Sequence, residues 1–117
     1  MKKVMLLASQ DLCDILRFTL EHTYTTLPCY DPAAGTGMLR EKPDILILSL
    51  SLPRMDGIAF LIKNADVLPP VVIVLTTLLN EEILRKISVL PVDALFRLPV
   101  RAEHLIATID ALAESVK

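Results

Sequence analysis

Tryptophan is absent, and three phenylalanines and two tyrosines hold the aromatic share of the 117 residues to 4%. The formal charge is −2, with no cluster of lysines or arginines. The chain therefore lacks both the stacking platforms and the electrostatic footprint of a nucleic-acid binder. Glycine is scarce too, with three residues that form no phosphate-cradling loop. The two cysteines, Cys13 and Cys29, lack metal-ligand spacing and read as small buried hydrophobes. The longest apolar runs, such as Ile45 to Leu48 and Val71 to Leu75, fall far short of the roughly 20 residues that cross a bilayer. The opening Met-Lys-Lys-Val-Met-Leu-Leu-Ala is too briefly apolar for a secretory signal. Together these absences predict a cytoplasmic protein with no membrane segment, no metal, no cofactor and no nucleic-acid partner for this domain.

What the chain has is apolar mass: 53% of its residues are hydrophobic, enough for one core and one domain spanning residues 1–117. Lys3 to Leu7 is a short apolar run that predicts a strand. Asp11 to Glu21 then places Leu12, Ile15, Leu16 and Thr19 on one helical stripe, with Ser9 as N-cap and Asp11 suited to the positive end of the dipole. Tyr24 to Tyr30 contains Pro28 and predicts a short edge strand. Asp31-Pro32 opens a helix in the favoured order, which Gly35 and Gly37 weaken by about 1 kcal/mol each relative to alanine.

The runs Ile45 to Leu48 and Val71 to Leu75 show no alternation, the pattern of strands covered on both faces of a parallel sheet. A short helix at Ile58 to Asn64 lies between them and is stopped by Pro69-Pro70. Asn80 caps a helix from Glu81 to Leu90, with Ile83, Ile87 and Leu90 on one face. Val92 to Phe96 is the last strand, and Arg101 to Val116 the last helix, with Leu105, Ile109 and Leu112 inward. Strict alternation predicts an α/β fold: a doubly wound, five-stranded parallel sheet flanked by five helices, flavodoxin-like in class. Such sheets place their sites outside the carboxyl ends of the strands. The positions to inspect are therefore Ala8-Ser9, Ser49, Thr76-Thr77 and Leu98-Pro99.

The most specific stretch is PDILILSLSLPRMDG, residues 43–57, a strand ending in serine and running into a turn closed by Asp56 and Gly57. It resembles the receiver domain of two-component response regulators, and the resemblance covers essentially the whole chain. In that family the strand ends in a phosphorylated aspartate, followed by a Leu-x-Leu-Pro-x-Met-Asp-Gly turn. Here the turn is LSLPRMDG and the acceptor position is Ser49. The resemblance also implies an acidic pair after the first strand, a hydroxyl after the fourth and Lys-Pro after the fifth. This chain has Ala8-Ser9, Thr76 and Leu98-Pro99 in those places. It further implies a cis bond before Pro99, and a switch in which the hydroxyl at Thr76 works with an aromatic residue of the fifth strand. That aromatic position reads Leu95, with Phe96 beside it.

Phosphoryl transfer to an aspartate needs a carboxylate nucleophile, acidic Mg²⁺ ligands and an opposing cation. Ser49, Ala8, Ser9 and Leu98 provide none of them, so the site reads as a degenerate acceptor with no catalytic residue. Neutralising a whole ionic cluster can be near neutral in stability, whereas removing one partner strands a charge. Ser49 is then expected to bond to backbone, Ser9 or Thr76. A kinase target at Ser49 is the sharper reading, disfavoured because the cation a phosphoserine would want is replaced by Leu98.

Other polar residues have plain explanations. Asp56 fits turn chemistry, Asp11 a helix start, and Asp14, His22 and His104 the surface. Arg54 and Arg97 flank the site and read as solvated arginines. The expectation is a non-catalytic pseudo-receiver held in one signalling state, acting by phosphorylation-independent protein–protein interaction. Its partner would be another protein or a second copy, met through about residues 81–116, with an output domain in a longer chain. The alternative is a phosphocarrier or small enzyme similar to sugar-phosphotransferase B subunits. Their phosphorylated cysteine follows the first strand, where this chain has Ala8, with Cys13 inside the helix.

Overall fold

The computed structural model describes residues 1–52 and 55–115. Arg54 and Val116 therefore lie outside the described residues. The elements alternate without exception: β1 (Lys3–Leu7), α1 (Gln10–Leu20), β2 (Thr25–Cys29), α2 (Pro32–Leu39), β3 (Ile45–Ser49), α3 (Gly57–Lys63), β4 (Val71–Thr76), α4 (Glu81–Ser88), β5 (Ala94–Arg97) and α5 (Ala102–Glu114). A single 3₁₀ turn, Ala65–Val67, follows α3. All strand pairs are parallel, and the sheet order is β2-β1-β3-β4-β5.

The missing hydropathy alternation of the inner strands has its cause in this layering. Side chains on a strand alternate between faces, and both faces of this sheet are covered. Val4, Leu6, Ile45, Ile47, Ile73 and Leu75 pack against α1 and α5. Met5, Leu7, Leu46, Leu48, Val72 and Val74 pack against α2, α3 and α4 on the other side. Every residue of β3 and β4 is buried. β2 lies at the sheet edge, where Pro28, which has no N–H to donate to a ladder, is tolerated.

Helix starts follow the capping residues. Ser9, Asp31, Asp56 and Asn80 each accept a hydrogen bond from a first-turn amide, Leu12, Ala33, Ala59 and Ile83 respectively, at 2.7–3.3 Å. Asp56 is thus an N-cap of α3, a more specific role than closing a turn.

Three sequence expectations are corrected. In α1 the buried stripe is Cys13, Leu16 and Leu20, while Ile15 is 62% exposed. The strand expected at Val92 to Phe96 runs from Ala94 to Arg97. Asp93 lies outside it because its carboxylate accepts the Val72 amide at 2.8 Å while its own amide donates to the Val72 carbonyl. Asp44 treats Lys3 identically at the start of β3, so the two aspartates fix how neighbouring strands begin. In α5, Ala113 is buried beside Leu105 and Ile109, and Leu112 is only partly buried.

One partly buried polar contact ties the α1–β2 connection to α5. The hydroxyl of Tyr24, just after α1, donates to the Asp110 carboxylate on α5. Burial, then the Asp110 hydrogen bond and charge, push the tyrosine pKa well above its usual value of about 10. The protonated form is the one the fold favours, so its contribution is fully present below about pH 10 and is lost as pH rises above it, where the unfolded chain ionises first. Stability should fall as pH is raised through this range, by at most about 1.4 kcal/mol per pH unit for this one group. Chemical denaturation of wild type and Tyr24→Phe between pH 8 and 11 checks this. The variant is expected to be weaker at neutral pH and less steep in alkali, and parallel profiles would count against it.

Candidate functional site

The carboxyl ends of β1, β3, β4 and β5 converge at one end of the sheet. The order β2-β1-β3 makes the gap between β1 and β3 the place where the chain reverses its winding, the usual ligand crevice of such sheets. Leu7 is level with Leu48, so Ala8 and Ser49, one residue further on, flank that crevice. Across β4, Ser49 is level with Leu75, and Thr76 with Arg97. The Leu98 amide donates to the Thr76 carbonyl at 2.8 Å, and the Leu98–Pro99 bond is cis. The fold thus brings Ala8, Ser9, Ser49, Thr76 and Leu98 to one end of the sheet.

Their chemistry there is neutral, and each of the three hydroxyls is engaged by nearby backbone. Ala8 is 1% exposed and belongs to the α1–α5 core. The hydroxyl of Ser9 accepts the Leu12 amide as the α1 cap. Ser49 Oγ accepts the Ser51 amide at 3.2 Å and lies 3.5 Å from the Ser51 carbonyl. Thr76 Oγ1 repeats the motif, accepting the Leu78 amide at 3.2 Å and donating to its carbonyl at 2.7 Å. Both hydroxyls therefore close local turns at strand ends, a habitual role of Ser and Thr. Of the partners foreseen for Ser49, backbone is the one found, and neither Ser9 nor Thr76 bonds to it. Leu98 packs against the α1–α5 core. No group of three or more His, Cys, Asp or Glu side chains able to hold a metal occurs among the described residues.

The turn after Ser49 explains a glycine. The Gly57 amide donates to the Leu50 carbonyl at 2.9 Å, and a Cβ on Gly57 would stand 2.8 Å from the Ser49 carbonyl oxygen. That approach brings the start of α3 against the end of β3. Asp11, Asp14, His22 and Arg97 are all exposed. The side chains of β5 separate by face: Leu95 lies on the α2–α3–α4 side, where Thr76 also points by alternation, while Phe96 faces α1 and α5. On that face Arg97 is the residue level with Thr76, and Leu95 lies two residues back along β5, level with Val74. Phe96 instead meets His104 edge-on, ring centroids 5.6 Å apart. Sequence reasoning missed that contact, and no spacing rule signals a strand-to-helix ring pair.

Cys13 and Cys29 are buried and unpaired. Burial pushes both thiols up, partly offset by backbone hydrogen bonding at Cys29 and Ala8 for Cys13 and at Asp31 for Cys29. Such thiols are poor nucleophiles.

No protein-family model matches the chain. A protein-glutamate methylesterase/protein-glutamine glutaminase 3 of Geobacter metallireducens is 35% identical over 86 residues, which is 67% of this chain and 24% of that relative. The chain thus spans no more than about a quarter of the length of the curated relatives it matches. A two-component response regulator from Clostridium difficile superposes with a TM-score of 0.91 at 19% identity, covering 98% of each chain. The Francisella response regulator 1452 receiver domain gives 0.84 at 18% identity, over 97% of this chain and 98% of that one. The fold is that of response-regulator receiver domains. No helix among the described residues is long and apolar enough to cross a membrane.

Proposed function

We propose that this chain is a receiver-type signalling module of a two-component regulator that acts through protein–protein contact without being phosphorylated. The observation that carries the reading is Ser49: it ends β3 beside Ala8, and its hydroxyl is engaged with Ser51 in a local turn. A serine hydroxyl cannot form an acyl phosphate, and the flanking Ala8, Ser9 and Leu98 supply neither the acidic metal ligands nor the cation that phosphoryl transfer requires. Leu95 in place of an aromatic partner for Thr76 supports a module fixed in one signalling state. The buried, alkaline-shifted Cys13 gives no support to a phosphocarrier reading.

The test is intact mass after incubation with acetyl phosphate and Mg²⁺. An unchanged mass is expected, with an authentic receiver phosphorylated in parallel as control. Stoichiometric gain of one phosphoryl group would sink the reading.

A further inference from the structure

The surface on which such a module would meet its partner can be located from exposure. Nine large hydrophobic side chains are exposed among the described residues. None lies on β5 or α5, so the α5 side of the stretch 81–116 offers no apolar anchor. Four surround α4 instead: Ile62 (61%) on α3, Leu78 (62%) on the β4–α4 connection, and Leu84 (47%) and Val89 (83%) on or just after α4.

Three of them, Ile62, Leu78 and Val89, line a groove of about 620 Å³ between α3 and α4, together with Leu50, Ile58, Ile83 and Leu90. Asp56 and Thr76 also line it, with Asp56 Oδ1 engaged by the Ala59 amide and Thr76 Oγ1 by Leu78. Lys86 at its edge pairs with Glu82 at 3.2 Å. The groove thus suits apolar side chains rather than a charged small molecule.

The charges of α4 select the occupant. Glu81 and Glu82 stand in its first turn, Arg85 and Lys86 in its last, and all four are exposed. Laid antiparallel against an identical helix across a two-fold axis, each acidic turn faces the basic turn of the other copy. The same operation brings the projecting Val89 of each copy toward the apolar groove of its mate.

From these features we infer that the α3–α4 groove is a homodimer interface, filled by α4 of a second copy in antiparallel orientation. It rests on the phosphorylation-independent reading above and names the partner and the place. The Lys86–Glu82 pair is exposed within one helix, where such pairs contribute little, so exchanging it for contacts across the axis forfeits little.

Light scattering over a concentration series tests this with two charge-reversed variants, Glu81→Lys/Glu82→Lys and Arg85→Glu/Lys86→Glu, and with Val89→Asp. Wild type is expected at twice the monomer mass at tens of micromolar. Each variant alone should be monomeric, because its α4 carries like charges or buries an aspartate, and circular dichroism should show each still folded. An equimolar mixture of the two charge-reversed variants should return to the dimer mass, an outcome that loss of folding cannot mimic.

A wild-type monomer at every concentration overturns the inference, as does a dimer indifferent to Val89→Asp and to both reversals, or a mixture that stays monomeric. None of these outcomes touches the phosphorylation-independent reading. Phosphoryl uptake in the mass experiment would sink that reading and leave the dimer result standing.

Discussion

Replacing Ser49 by aspartate alone will leave the protein unphosphorylated by acetyl phosphate, whereas Ala8→Asp, Ser9→Asp, Ser49→Asp and Leu98→Lys together will allow the reaction. In that step a carboxylate oxygen of the new side chain at position 49 attacks phosphorus, the bond from phosphorus to the acetyl oxygen breaks, and acetate leaves. The attack brings two anions together, so it proceeds only where a metal ion and a fixed cation offset their charge. The single variant has neither. Position 49 is buried, at 7% exposure, and an aspartate there with no cation beside it will be pushed toward its neutral form, a poor nucleophile.

Stability should follow the same logic. Ala8 is part of the α1–α5 core, so Ala8→Asp alone places an unpaired carboxylate in an apolar site, at a cost of several kcal/mol. In the fourfold variant, Mg²⁺ and the new lysine compensate the three new carboxylates. Its melting temperature should therefore rise with Mg²⁺ in a way the wild type's does not. Intact mass and thermal melts with and without Mg²⁺ read both effects. Phosphoryl gain by Ser49→Asp alone, or a folded fourfold variant that stays inert and Mg²⁺-insensitive, would refute the account of what this site lacks.

The fold and the positions gathered at the strand ends were largely legible in the sequence because the signals were local. A serine closing an apolar run, a cap three residues before a helical amide and a proline in a weak strand each depend on neighbours within a few positions. Ser9, Asp31 and Asn80 were readable as caps, and Pro28 as the mark of an edge. What sequence could not resolve was set by partners far along the chain. The start of β5 depends on Asp93 reaching back to Val72 in β4. The inward face of α1 turned so that Cys13 and Leu20, rather than Ile15, meet the sheet, because a stripe of apolar residues wider than the contact leaves one edge outside. The facing of Leu95 against Phe96 required the register of β5 on β4. Most of all, the two glycines of α2 look alike in sequence, as equal weaknesses in a helix, and the fold makes them opposites.

Gly35→Ala is expected to destabilise the protein and Gly37→Ala to stabilise it, although both add one methyl group to the same helix. Intrinsic propensity favours alanine at each by about 1 kcal/mol. At Gly37 nothing lies within 4 Å of the added Cβ, so the gain should be realised. At Gly35 the Cβ would stand 2.9 and 3.0 Å from two ring atoms of Phe60. That ring is fully buried in the α2–α3–α4 core among Met5, Leu39, Leu61 and their neighbours, and in a close-packed interior it can retreat only by displacing them. Overpacking of this kind costs about 1–3 kcal/mol, more than the propensity gain.

Phe60 itself should have the largest single effect on stability: Phe60→Ala removes a fully buried ring, at about 3–5 kcal/mol, a large share of the roughly 5–15 kcal/mol that holds a domain folded. The two sites are coupled through one contact, so their effects should not add. In a Phe60→Leu background, where the ring atoms facing Gly35 are gone, Gly35→Ala should lose its penalty and approach the behaviour of Gly37→Ala. Urea denaturation of the cycle decides it. A Gly35→Ala penalty that persists unchanged in the Phe60→Leu background would mean that helix α2 is limited by its own backbone rather than by the ring packed against it.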